Sequence, residues 1–365
     1  MFRPLRIAHV GPVATTIPPP KSGSVEQMTS LLTEGLVAAG HDVTLFATAG
    51  STTAARLHAT FPLGYWQDER MWPWELYETL NLAAAIERAR DFDIIHHEAA
   101  YYPLSIAFAR LCPTPIVQTV HHAPSDSEVA LWSRHPDVGF VAISDEQAHL
   151  LAGVNVVGTV LHGIDVGRFE FRESPEDYLL FVGRFTEGKG VLEAITIARR
   201  AGRRLLLAAA ANPYYREVIE PHVDGTHVVF VGEADHDEKV RLYGGARALL
   251  YPVQSREPFG LVLVEAMACG TPVAALDKGA VHEIVDDGIT GAVFADVDAM
   301  TTGLDRVLTL DRGRVRSHAA ERFGAARMVR EYEEVYRRVV EARLGPVRAS
   351  ARFRLRKLRR AWLSR

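Results

Sequence analysis

Twice along this chain a short apolar run ends at a glycine, crosses a loop and enters a helical pattern. "LRIAHVG" (5–11) does so first and "YLLFVGRF" (178–185) second. Short apolar runs alternating with longer stretches of helical period describe parallel strands with helices on both faces. After the first opening, Met28, Leu31, Leu32 and Leu36 mark a helix that ends at Gly40, and strands are expected at 42–48, 92–98, 115–122 and 138–144. After the second, strands are expected at 203–211, 226–232, 246–253 and 272–276. The expected fold class is therefore α/β: two doubly wound (Rossmann-like) parallel-sheet domains facing an interdomain cleft. A chain of 365 residues is long enough for two cores. The expected division is 1–170 and 171–324, then a helix at about 325–343 that can cross back to the first domain, then a tail, 344–365. Ligands of such sheets sit beyond the carboxyl ends of the strands.

Several chemistries are set aside by what the loops lack. A dinucleotide site needs G-x-G-x-x-G after the first strand and an acid ending the second. Here Gly11 stands alone, the second strand ends "LFATAG", and no Walker lysine motif is present. Asp91-Phe92-Asp93 precedes a strand instead of following one, so it reads as a pair of turn aspartates. His96-His97-Glu98 and His121-His122 end expected strands, but neighbours on a strand point to opposite faces, so each pair supplies only one ligand easily. No metal site is expected, and one histidine of each pair should face the cleft while the other packs. Cys112 and Cys269 read as buried free thiols.

Charge is unevenly placed. Residues 343–365 carry nine Lys/Arg and no acid, so the other 342 residues sum to −13 against a total of −4. An acidic body gives no reason to expect nucleic acid as a partner. The tail places Ala351, Leu355, Leu358 and Trp362 on one helical stripe among arginines. The simpler reading is a solvated end; the other is a peripheral contact with anionic membrane. No signal-peptide pattern opens the chain and no apolar run reaches ~18 residues, so a cytoplasmic location is expected, with the tail as its one route to the membrane's inner face. Trp66, Trp72 and Trp74 are expected to pack.

The chemistry concentrates in two stretches. In "FVGRFTEGKG", Arg184 follows a strand and Lys189 precedes a helix, an arrangement suited to phosphate. In "SREPFGLVLVEAMACG", Pro258 suits a first helical turn, which puts Glu257 at or just before the helix start and Glu265 inside a helix apolar nearly all round. Eight helical steps separate the two carboxylates by about 12 Å. Hydrolase carboxylate pairs stand roughly 5–9.5 Å apart, so these two fit two contact points on one extended ligand better than an acid/base couple. Gly260 offers backbone N–H groups between them.

"EPFGLVLVEAMACGTPVAA" resembles the E-x7-E signature of retaining glycosyltransferase family 4, which has the two-domain GT-B fold. "IPPPKSGSVEQMTSLLTEGLVAAGHDVTLFAT", "FVGRFTEGKG", "HVVFVGEADHDEKVRLYGGARALLYPV" and "GAVHEIVDDGITGAVF" resemble other blocks of that family in the same order, so the likeness spans about 5–341. It implies a retaining hexosyltransferase that uses a UDP- or GDP-sugar as substrate, with no cofactor and no metal, and an acceptor that is a small molecule, a glycan or a lipid-linked sugar. Carried over residue by residue, it implies that Glu265 binds the ribose. Glu257 and the backbone of Phe259, Gly260 and Leu261 would hold the sugar and distal phosphate. Arg184 and Lys189 would neutralise the diphosphate. The segment with Gly232 and Glu233 would meet the base, Gly23 would line the cleft near the phosphates, and His121, with His122 second, would sit beside the sugar. The family block often has a second glycine where this chain has Ser24. A nucleotide-sugar epimerase of related fold and a non-catalytic sugar-nucleotide binder are the alternative readings.

Overall fold

The computed structural model describes residues 3–21, 23–98 and 103–362, with side chains to 343. Strands β1 (Arg6–Val10), β2 (Asp42–Thr48), β3 (Arg56–Phe61), β4 (Ile94–His97), β5 (Ile116–Thr119), β6 (Val138–Ala142) and β7 (Val156–Thr159) form one sheet, ordered β3-β2-β1-β4-β5-β6-β7. Strands β8 (Leu179–Val182), β9 (Leu205–Ala208), β10 (Val228–Gly232), β11 (Ala248–Tyr251), β12 (Val273–Leu276) and β13 (Gly291–Phe294) form a second, ordered β10-β9-β8-β11-β12-β13. Every named pairing is parallel. Between them run α1 (Ser24–Ala38), α2 (Trp74–Glu87), α3 (Asp126–Trp132), α4 (Asp145–Leu150), α5 (Val191–Arg200), α6 (His236–Gly245), α7 (Leu261–Ala268), α8 (Val281–Ile284), α9 (Val297–Leu308), α10 (Arg312–Phe323) and α11 (Ala325–Trp362).

Alternation along the strands builds the layers, because successive side chains face opposite sides of a sheet. In the first sheet Ile7 and Ile94 join Leu32 and Leu36 of α1, whereas their neighbours Ala8 and Ile95 join Leu82 and Ala85 of α2. In the second, Leu180 and Leu249 join Leu263 and Met267 of α7, whereas Leu179 and Leu250 join Ile195 of α5 and Leu304 of α9. Both sheets are thus covered on two faces, as continuous apolar runs require. In each, the first strand of its half lies inside the sheet and the order reverses beside it, between β1 and β4 and between β8 and β11. That reversal opens a crevice at the carboxyl ends.

Three strands lie outside the sequence expectation: β3, β7 and β13, each at an edge of its sheet. The four residues of β7 are half-buried and β3 has three exposed positions, so neither shows the apolar run of a two-faced strand. Asp91 and Asp93 are structural. Asp93 binds the Arg6 side chain at 2.9 Å and Asp91 pairs with Arg88 at 3.3 Å. Both cysteines are free and buried.

Helix α11 follows α10 of the second half, yet Met328, Val329, Tyr332, Val335 and Tyr336 belong to the core of the first sheet, against α1. The tail's apolar stripe and arginines lie outside the described side chains. Among the described residues no helix is long and apolar enough to cross a membrane. Other contacts also join the halves. The Glu283 carboxylate accepts the backbone N–H groups of Asp145 and Glu146 at 2.8 and 2.6 Å, Arg256 pairs with Glu146 at 3.5 Å, and Lys21 with Glu233 at 3.8 Å.

Candidate active site in the cleft

The carboxyl ends of β8 and β11 place the two glutamates differently from the sequence reading. Glu257 is not at a helix start: α7 begins at Leu261, and Glu257 makes a parallel bridge with Gly279, its carbonyl accepting Ala280 N–H at 2.8 Å. Gly260 has φ +90°, a left-handed conformation that ends the extended segment and caps α7. Helical rise therefore spans only the last four of the eight steps from Glu257 to Glu265.

What keeps the carboxylates apart functionally is that they share no partner. Glu257 Oε2 accepts from Lys189 Nζ at 2.6 Å and from the Tyr251 hydroxyl at 2.5 Å. Glu265 accepts from Lys239 Nζ at 3.3 Å and from the Tyr243 hydroxyl at 2.7 Å. Each is buried, and each has one cation and one phenol. A buried carboxylate needs such donors, since burying it unpaired is costly. Burial and the neighbouring glutamate push the Tyr251 and Tyr243 hydroxyls well above their usual range, so both stay protonated and donate. Tyr251 ends β11, and Lys189 lies in the turn before α5, where Gly190 is required: a Cβ there would sit 1.8 Å from Pro252 O. Lys239 and Tyr243 are four residues apart on α6, hence on one face, and α6 packs on α7. Sequence reasoning missed Tyr251, Tyr243 and Lys239; the i, i+4 spacing of the last two was the one visible signal.

Arg184 lies exposed beyond β8. Phe259 is buried and Leu261 half-buried. Gly232 closes β10, and Glu233 beyond it meets Lys21 of the first-half loop that runs on to Gly23, the N-cap of α1. His121 reaches the second half through rings: it stacks on His162 with centroids 5.3 Å apart, and His162 meets Phe259 edge-on at 5.0 Å. The structure therefore gathers Lys189, Glu257, Phe259, Gly260 and His121 at one end of the cleft, with Glu265 on its own set. His122 is turned to Glu128, at 2.9 Å.

The other histidine pair departs from expectation. Neither His96 nor His97 faces the cleft; both are fully buried. His97 Nδ1 bonds Gln118 Oε1 at 2.6 Å, and burial lowers its imidazole to about 4. His9, His96 and Glu98 bring donor atoms within 4.8 Å of one another, which is the described cluster able to hold a cation. Its bonding argues otherwise. His96 has both nitrogens on hydroxyls, Nδ1 to Tyr336 at 2.6 Å and Nε2 to Thr119 at 2.7 Å. His9 and His96 are register partners on β1 and β4, and their rings stack at 4.9 Å, the ordinary spacing of adjacent strands. The group is a hydrogen-bonded network. Burial lowers His96 to about 3, leaving it neutral. Burial pushes the Glu98 carboxyl up, and the hydrogen bonds from His121 and His9 more than reverse it, holding Glu98 well below its usual range.

In the first half, Trp66 and Trp72 are not buried as expected: they are 57% and 73% exposed, while Trp74 is half-buried with its ring 5.7 Å from Tyr65. Glu78 on α2 is buried and accepts Val13 N–H at 3.1 Å; burial raises its carboxyl to about 8. Glu26, in the first turn of α1, is buried too, and burial raises it. A cavity of about 530 Å³ lies at the junction of the halves, lined by Asp145, Glu283, Asp286, Arg322, Arg327 and Glu331 among others. It shares no residue with the glutamate sets and is not the candidate site.

Known proteins resemble this chain along most of its length. The sequence pattern of "Glycosyltransferase Family 4" matches residues 25–168 and that of "Glycosyl transferases group 1" matches 167–324. Glycogen synthase of Mycobacterium tuberculosis is 27% identical over 357 residues, covering 81% of this chain and 85% of that protein. Phosphatidyl-myo-inositol mannosyltransferase of Propionibacterium freudenreichii subsp. shermanii is 29% identical over 256 residues, 61% of this chain and 65% of that one. Among solved structures, sucrose-phosphate synthase from Thermosynechococcus elongatus superposes with TM-score 0.75 at 20% identity, covering 93% of this chain and all of that one. Anabaena HepE in complex with UDP and glucose does so at 0.67 and 16%, covering 90% and 98%. These likenesses in space show the fold.

Proposed function

We propose that this chain, a glycosyltransferase of the GT-B type whose halves match the family 4 and group 1 patterns, moves a hexosyl unit from a UDP- or GDP-sugar with retention at the anomeric carbon. The observation that carries the reading is the pair of separate cation-and-phenol sets on Glu257 and Glu265, with the N-terminus of α7 between them. One set suits the sugar and distal phosphate, the other the ribose. The segment of Gly232 and Glu233 meets the base, and Gly23 lies by the phosphates. The HepE complex supports a uridine nucleotide at this cleft by analogy of fold alone.

Bond cleavage at the anomeric carbon leaves its electron pair on the diphosphate. Arg184, Lys189 and the α7 backbone meet that charge in place, so no metal is assigned to it. Glu257 already accepts from Lys189 and Tyr251 through one oxygen, which suits orienting a hydroxyl and not attacking carbon. The acceptor oxygen therefore attacks from the face the diphosphate leaves, and its proton passes to a departing phosphate oxygen. The acceptor is a small molecule, a glycan or a lipid-linked sugar, the last favoured if the 344–365 tail binds membrane.

A thermal-shift panel of UDP- and GDP-sugars tests the donor. A cognate donor at ~100 times its Kd stabilises by about 2.7 kcal/mol; a panel in which none raises Tm sinks the reading. With the donor in hand, Lys189→Ala should lower kcat ~10²–10³-fold. Glu265→Gln should mainly raise donor KM, whereas Glu257→Gln should mainly lower kcat. Product made from donor alone, without acceptor, would instead favour epimerisation.

A further inference from the structure

His121 is tied to a residue outside the nucleotide-binding sets. Its Nε2 lies 2.6 Å from Glu98 Oε2, at the end of β4. We propose that Glu98 is a positioning residue that locks His121 as the Nε2–H tautomer, so that His121 presents a lone pair on Nδ1 to a hydroxyl group in the cleft. This rests on the reading of the cleft as a sugar site and goes beyond it by assigning the chemistry of one contact.

The proton inventory carries the argument. An ionised carboxylate only accepts, so the short bond to Glu98 is donated by His121. Its Nδ1 has no hydrogen-bond partner among the described residues, so that nitrogen is left for a ligand. Glu98 cannot turn away. Oε1 is held by His9 Nε2 at 3.3 Å, and the Glu98 backbone N–H donates to Val10 O at 2.8 Å. The surroundings are fixed in turn: His9 Nδ1 bonds Thr33 of α1 at 2.7 Å, and His96 bonds Tyr336 of α11. The face of the His121 ring is stacked against His162, which burial lowers to about 3 and keeps neutral. Glu98 is 2% exposed, and a fully buried carboxylate is retained at a desolvation penalty that an apolar side chain would not incur. Fixing the orientation and tautomer of a ligand-facing imidazole is work that only an acceptor at this place performs.

The test uses the full chain with isotope-labelled histidine, and Nuclear Overhauser-independent long-range N–H correlation reads each ring. His121 is assigned by the signal lost in His121→Asn. The expected pattern is one protonated nitrogen, Nε2, and one bare nitrogen, Nδ1. Protonation at both nitrogens, or at Nδ1 alone, in the unmutated protein overturns the proposal whether or not any variant folds. Glu98→Gln should let the two tautomers exchange; an unchanged His121 pattern in the folded variant would also overturn it. With the donor found by thermal shift, Glu98→Gln should lower kcat about 10²-fold and leave donor KM within twofold. Equal turnover by Glu98→Gln and the unmutated protein counts against it. A panel without any stabilising donor defeats the sugar reading, while the resonance pattern still decides the role of Glu98.

Discussion

Glu78 holds a proton at neutral pH because its carboxyl lies in the interior of the first half, where burial raises it to about 8 against the opposing hydrogen bonds from the Val13 N–H and the Tyr65 side chain. The sign of its effect on stability follows. Below about pH 4.5 folded and unfolded chains both hold the proton. As pH rises from there to about 8 only the unfolded chain releases it, so folding is progressively disfavoured. Glu78→Gln keeps an oxygen for Val13 and removes the ionisation. It should leave stability nearly unchanged at pH 4 and raise it by about 3 kcal/mol at pH 7. Denaturant titrations at the two pH values check this; a gain of equal size at both would refute the burial argument. Tyr243→Phe makes the opposite demand, since it removes the phenol from buried Glu265. Stability should fall by about 1–3 kcal/mol, read as a lower denaturation midpoint, and donor KM should rise as well.

Helix α4 shows how one element can tie two halves together. Its first N–H groups lack intrahelical partners, as at any helix start. Ser144 accepts from Gln147, and two more donors, Asp145 and Glu146, are met by Glu283 of the other half. A carboxylate there also meets the positive end of the helix dipole. Glu283→Ala should lower stability by about 1–2 kcal/mol, seen in thermal unfolding, and widen the distribution of interdomain distances seen by small-angle scattering. Equal scattering profiles would mean the other contacts suffice. At this scale the sequence is most readable where an element is covered on both sides. The interior strands show as apolar runs because helices lie on each face, whereas β3 and β7 at the edge do not. The glutamates, Arg184 and Lys189 were legible as motif residues. Their phenols were not, because Tyr251 meets Glu257 through the fold of the β11 loop and Tyr243 meets Glu265 through the packing of α6 on α7. Pro258 suggested a helical turn that the Glu257–Gly279 bridge prevents. Glu98 stood out beside two histidines, but its bond to His121 depends on β4 lying next to β5.

Across the whole molecule the two halves are not independent bodies joined by a linker. The core of the first sheet is completed by Met328, Val329, Tyr332, Val335 and Tyr336 of α11, which follows every element of the second sheet. A chain ending at residue 324 should therefore lose amide-exchange protection in β1 and β4 while β8 and β11 keep most of theirs. Uniform loss across both sheets, or none, would contradict this account of the core. The same arrangement sets an order of events during synthesis. The last strand of the first sheet ends at Thr159, and the helix that covers it starts at Ala325. A growing chain on the ribosome thus carries a finished apolar face that α1 covers only in part through the making of its entire second half. The half made second can close first, and the half made first waits, exposed to chaperones and to its neighbours, for α11 to arrive.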